Sequence, residues 1–241
     1  RRTRPLSIRP SRRLYASAWG IVLQYFLQTD TLVLDHTVHL RPKCFQGLLG
    51  SFVNNLPIRI PFEEMELFSD VVRFMDENRT KERQHQRATY TDIILRMRQQ
   101  KELAESRELF NVSIDYPIRN HSFRLDFPGC RICFHRQILA EMIGDICLVI
   151  EEKSNLPCSI RYKQGMDPHL VQTMAEAFLL VLSQAVASPQ IPICQLRFIS
   201  PEREASLIES ARQSLYAPLP AASRKNIVDA IRQRANQSPQ K

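Results

Sequence analysis

Apolar residues recur at helical spacing from residue 11 to 28, where Leu14, Ala18, Ile21, Val22, Tyr25 and Phe26 form one stripe with Tyr15 and Trp19 beside it. That spacing predicts an amphipathic helix with both large aromatics in the core. Residues 31–40 change to β-branched and apolar types and predict a strand, which Arg41-Pro42 ends. A loop over 41–50 leads to a second strand over about 52–60. Residues 63–84 predict a long helix with Leu67, Val71, Val72, Phe74 and Met75 on its apolar side, and 89–99 a shorter one.

Downstream, 109–116 reads as a strand. Residues 121–136 alternate around Pro128-Gly129 and predict a hairpin. Residues 145–152 and 157–163 predict a strand pair around Lys153-Ser154-Asn155. Asp167-Pro168 supplies an N-cap followed by a first-turn proline, so a helix is expected from there to about Val186. Pro201, with Glu202 and Glu204, opens another helix to about residue 212. Residues 213–223, with two prolines and a run of Ala and Ser, read as a linker. Helices interleaved with strands imply an α/β sandwich, one mixed sheet covered by helices.

The stretch Leu48-Leu49-Gly50-Ser51-Phe52-Val53-Asn54-Asn55-Leu56-Pro57-Ile58-Arg59 breaks the pattern in an informative way. Asn is disfavoured in strands, and a buried amide needs hydrogen-bond partners. Two of them beside Phe52 and Val53 point to a substrate channel or a strand crossing.

This stretch resembles the G-x-F-V-N-T-L-P-x-R motif of condensation domains in nonribosomal peptide synthetases. The resemblance continues in order. His85-Gln86 sits where the family shows H-Q-D-x-P-F-E, with Arg87 replacing the Asp and Thr89-Tyr90-Thr91 replacing Pro-Phe-Glu. Ser106-Arg107-Glu108-Leu109-Phe110 sits where it shows S-R-N-P-L-F. Residues 224–241 resemble the opening helix of an adenylation domain. The resemblance therefore implies a basic arm at 1–10, the C-terminal lobe of a condensation domain at 11–212, the linker at 213–223, and the start of adenylation at 224–241. It implies a chloramphenicol-acetyltransferase-like fold, one lobe only.

The family's catalytic H-H-x-x-x-D-G is absent, since the chain has no His-His pair. The resemblance thus places no catalytic residue here and implies an inactive half-domain. Either this is a fragment of a larger catalyst or a natural half-domain serving as a structural platform. Asn54, Asn55, Phe52 and Arg59 are the residues expected nearest the acyl tunnel. Asn54 either bonds a substrate carbonyl or holds the strand crossing, and Arg59 either forms a structural ion pair or meets substrate. His85 is expected to be a helix-end histidine with a packing role. The implied partners are the other condensation lobe or its substitute, carrier-protein domains and a downstream adenylation domain. No cofactor is expected to bind directly, the phosphopantetheine arm being delivered by carriers.

Composition narrows the alternatives. The net charge is +8, and the arginines are spread along the chain without a nucleic-acid recognition motif. Docking of acidic carrier domains on a basic face fits better, as does simple solvation. Six Gly against fifteen Pro argues against a glycine-rich nucleotide loop. No apolar run approaches the roughly 18 residues that span a bilayer. Arg1 to Arg13 carries six Arg and no secretory signal. A cytoplasmic location with reduced, buried thiols in strands is expected, which leaves the sequons at Asn78 and Asn111 without meaning. Cys130 and Cys133, with His135 and His121, lack the second ligand pair of a structural zinc site, so no metal is expected. His36 and His39 lie three apart on a strand, are expected on opposite faces, and read as structural.

Overall fold

The computed structural model describes residues 12–104, 108–116, 129, 144–150 and 158–216, the side chains of 213–216 excepted. The chain divides into two units, Arg1–Phe198 and Ile199–Lys241. In the first unit the elements follow as α1 (Arg12–Leu27), β1 (Thr31–His39), β2 (Val53–Pro61), α2 (Phe68–His85), α3 (Tyr90–Gln99), β3 (Val112–Asp115), β4 (Ile146–Ile150), β5 (Cys158–Tyr162) and α4 (Pro168–Ala187). The second unit contains α5 (Pro201–Tyr216).

The five strands form one mixed sheet in the order β2-β1-β3-β4-β5. The outer pairs β1–β2 and β4–β5 are antiparallel, and β1–β3 and β3–β4 are parallel. Because side chains alternate across a strand, the register assigns each residue to a face. Leu32, Leu34, Ile58, Ile60, Val112, Ile114, Ile146, Leu148 and Ile150 share one face and join the buried core with residues of α1, α2 and α4. Trp19 is fully buried there. Its ring meets Phe178 of α4 edge-on at 6.1 Å, and its Nε1–H donates to the Ser113 carbonyl at 3.2 Å. The core positions expected of Trp19 and Tyr15 are realised, Tyr15 being partly buried.

β3 begins at Val112 where a strand from 109 is expected, and two helix boundaries differ from the pattern-based expectation. The helix expected from residue 63 begins at Phe68, because residues 62–64 form a 3-10 turn and Leu67 bridges to Pro192. Ile193 N–H bonds the Glu66 carbonyl and Phe68 N–H bonds that of Ile191, so a distant segment takes backbone groups that local periodicity assigns to a helix. The Asp70 carboxylate then accepts from Leu67 N–H at 2.9 Å and starts the helix. The second difference is α5, which runs four residues into the expected linker.

Asp167 caps α4 as expected, accepting from His169 N–H at 2.9 Å. α4 is long and apolar enough to cross a membrane by length and composition, against the expectation of no such run. Val171, Met174, Ala177, Phe178, Val181 and Ala185 are nevertheless buried in the core, as in a core helix of this sheet. The hairpin expected over 121–136 lies outside the described residues except for Gly129, whose φ of +79° suits the turn glycine expected there. Cys130, Cys133, His121 and His135 also lie outside them. Among the described residues no group of three or more metal-binding side chains gathers. The expectation of buried thiols holds for Cys147 and partly for Cys158; Cys44 and Cys194 are exposed on 3-10 turns.

Candidate functional site

The two asparagines occupy neighbouring positions on β2, so their side chains leave opposite faces of the sheet. Asn54 points to the helix-covered face. Its Nδ2 donates to the carbonyl of Gln86 at 3.0 Å and to that of Ala88 at 2.7 Å. Those carbonyls belong to the turn that ends α2, where the last C=O groups lack helical partners. Asn54 satisfies the C-cap carbonyl of Gln86 and that of Ala88 just beyond it, and ties β2 to the His85-Gln86 segment.

Asn55 points to the other face. Its Nδ2 donates to Asp35 Oδ2 at 2.8 Å. Asp35 is 2% exposed, and its Oδ1 is buried with no hydrogen-bond partner. Burial, opposed by His36 and the Asn55 amide, pushes its carboxyl up from 3.8 to about 7. The register aligns Asp35 with Ser113, and Ser113 with Cys147, whose partner on β5 is Arg161. A polar row thus crosses the sheet on this face: Asn55, Asp35, Ser113, Cys147, Arg161. Burial also raises the Cys147 thiol to about 11, which makes it an inert side chain. Tyr90 stands near Asp35, packs on Phe110 at 4.9 Å, and donates to Glu108 at 2.7 Å; burial and Glu108 raise its hydroxyl to about 12.

Phe52 precedes β2 and lies under the Arg41 guanidinium, 4.1 Å from its ring centre. Arg41 also donates to the carbonyls of Phe45, Leu48 and Gly50, so one side chain organises the 41–50 loop. In sequence Arg41 marks the end of a strand; the three carbonyls converge on its guanidinium only in the folded loop. Arg59 is exposed and has no ion pair among the described residues. His85 is the last residue of α2 and exposed, so the expected packing role is not found. Gln86 is half-buried through its contact with Asn54. Ser106 and Arg107 lie outside the described residues.

His36 Nδ1 lies 3.0 Å from the Leu56 carbonyl and Nε2 lies 3.2 Å from Glu82 on α2. His39 Nε2 lies 3.3 Å from the Tyr116 carbonyl. The two were expected on opposite faces, yet both line one cavity. His39 is the last residue of β1, where alternation no longer governs a ring that can swing around the strand end.

A family model described as the condensation domain matches residues 12–208. The chain belongs to the condensation-domain family. It is 21% identical over 201 residues to surfactin synthase subunit 2 of Bacillus subtilis (strain 168), covering 81% of this chain and 6% of that protein. It is 19% identical over 232 residues to tyrocidine synthase 3 of Brevibacillus parabrevis, covering 95% of this chain and 4% of that one. The chain therefore spans a small part of these relatives.

Among solved structures, the X-domain in its complex with OxyB from teicoplanin biosynthesis aligns with a TM-score of 0.66 at 17% identity, over 80% of this chain and 44% of that chain. A four-domain nonribosomal peptide synthetase bound to AMP and glycine aligns with a TM-score of 0.64 at 16% identity, over 80% of this chain and 16% of that chain. The starter condensation domain of rhizomide synthetase gives 0.58 at 17% identity, over 81% of this chain and 47% of that chain. These likenesses bear out the α/β fold of a mixed sheet covered by helices, expected as chloramphenicol-acetyltransferase-like.

Proposed function

We propose that the chain is the C-terminal lobe of a condensation domain in a cytoplasmic modular peptide synthetase. In this reading it shapes the acyl tunnel and docks carrier domains while an amine attacks a carrier-bound thioester. The catalytic histidines belong to the other lobe, and this chain alone is inactive. The phosphopantetheine arm arrives with the carriers. Residues 213–223 lead to an adenylation domain that begins near residue 224, α5 extending to Tyr216.

The observation that carries this reading is the bond from Asn54 to Gln86. It joins two segments that resemble separate family motifs, and it gives their order a structural purpose. Half-length coverage of the condensation-domain chains agrees with one lobe. In this reading a second lobe would close the tunnel over the opposite face, where Asn55 and Arg161 remain partly exposed on either side of the buried Asp35, Ser113 and Cys147.

A second reading, a non-catalytic platform for the adenylation domain, draws on His85. It lies exposed at the end of α2, with no carboxylate to orient it among the described residues. The two readings separate in the intact parent synthetase when residues 12–208 are replaced by a flexible linker. The lobe reading expects amide formation at this position to stop while adenylation continues. Loss of adenylation, with no amide formed at this position even by the wild type, would support the platform and end the catalytic reading.

A further inference from the structure

On the helix side of the sheet, away from the Asn55–Asp35 pair, a cavity of about 370 Å³ opens between α1, the second half of α2 and the ends of β1 and β3. Its lining is divided by chemistry. Ala16, Leu56, Ile58, Met75 and Ile114 form an apolar floor continuous with the core. Four arginines stand around it: Arg12 and Arg13 from α1, Arg79 and Arg83 from α2. Among the described residues the lining contains one carboxylate, Glu82, already engaged by His36 Nε2 at 3.2 Å.

The arginines differ in how they are held. Arg13 pairs with Asp76. Arg12 lies over the Tyr116 ring at 5.1 Å, and the Tyr116 hydroxyl donates to the Arg12 carbonyl, which fixes the start of α1 at the cavity mouth. Arg79 and Arg83 are exposed and have no ion pair among the described residues. They sit four residues apart on α2, hence on one face of the helix. Two like charges at that spacing repel in the empty protein, and an anion between them removes the repulsion.

We propose that this cavity binds a small phosphate ester, with its phosphoryl group between Arg79 and Arg83 and its apolar stem on the Ala16–Ile58–Met75–Ile114 floor. Guanidinium forks match phosphate oxygens in bidentate geometry. A dianion matches the two unpaired guanidinium charges, and the space exceeds what inorganic phosphate needs and suits a small-molecule ligand. The site stands apart from the tunnel reading above and does not depend on it.

The test is calorimetric titration of the intact protein with octyl phosphate, inorganic phosphate, octanoate and octanol, repeated with Arg79→Gln and Arg83→Gln. Both arginines are exposed helix residues, so the variants retain the fold, which circular dichroism verifies. Octyl phosphate is expected to bind most tightly and to weaken with added salt. Each variant is expected to lower its affinity by about tenfold or more, the usual effect of losing a hydrogen bond to a charged group. Equal binding of octanol or octanoate, unchanged affinity in both variants, or no binding of octyl phosphate at millimolar concentration would overturn the proposal.

Discussion

Asn54 reaches from β2 to the end of α2 and bonds the carbonyls of Gln86 and Ala88 through one nitrogen, at 3.0 and 2.7 Å. An amide in an edge strand thereby closes a helix belonging to the next element. Among the described residues β2 pairs only with β1, and this clamp adds a polar restraint to the packing of Ile58 and Ile60 in the core. Asn55, one residue on, faces the other way and holds Asp35.

The clamp has a measurable stability. Asn54→Ala removes both bonds and leaves the carbonyls of Gln86 and Ala88 to water, which is expected to cost about 1–2 kcal/mol. Urea denaturation checks this. Asn54→Asp is expected to cost more, because a carboxylate would face two carbonyl oxygens.

Asp35 makes stability depend on pH. Its folded-state carboxyl is raised from 3.8 to about 7 by burial, against the opposing effects of His36 and Asn55, with Asp115 adding to the rise. The folded state therefore binds this proton more tightly than the unfolded state. The contribution is complete below about pH 4 and is lost as pH rises through 7. Asp35→Asn, which keeps an acceptor for Asn55, is expected to remove this slope and to exceed wild-type stability at pH 8 by a few kcal/mol. Denaturation midpoints from pH 4 to 8 decide it; parallel curves for the two proteins would refute the assignment.

Gly144 carries φ of +83°, and a Cβ there would lie 2.8 Å from the Asn111 carbonyl oxygen. That oxygen accepts from Asp145 N–H at 2.6 Å, which sets the entry to β4. Gly144→Ala is expected to destabilise the fold by at least about 1 kcal/mol, combining backbone strain with a displaced carbonyl. Denaturation with Trp19 fluorescence as the probe reads this directly.

Thiol labelling is expected to sort the cysteines by environment. Cys44 and Cys194 are exposed, while Cys147 is buried with its thiol raised to about 11. Peptide mapping after brief treatment with iodoacetamide should find the first two modified and Cys147 intact until denaturant is added. Early labelling of Cys147 would mean that the sheet face opens in solution.

Element types were largely legible in the pattern, because each core element carries its own periodicity. Leu32, Leu34, Ile58 and Ile60 alternate along β1 and β2, and Val171, Met174, Phe178 and Val181 step along α4. The start of α2 was not legible, because Leu67 is claimed by Pro192 from over a hundred residues away. The site was half legible. Asn54 and Asn55 stood out as amides in a strand, but their partners depend on register. Asp35 lies twenty residues from Asn55 in sequence, and only the β1–β2 pairing brings them together. The convergence of Arg12, Arg13, Arg79 and Arg83 was hidden among dispersed arginines for the same reason.

The most direct test of the lobe reading is amide formation by the intact parent synthetase, wild type against Asn54→Ala, with adenylation followed in parallel. Amide formation should fall in the variant while adenylation is unchanged, as expected in the lobe reading when β2, released from the end of α2, no longer holds Asn55 in place on the opposite face. An amide yield indifferent to Asn54, or no amide formed at this position by the wild type, would contradict the account.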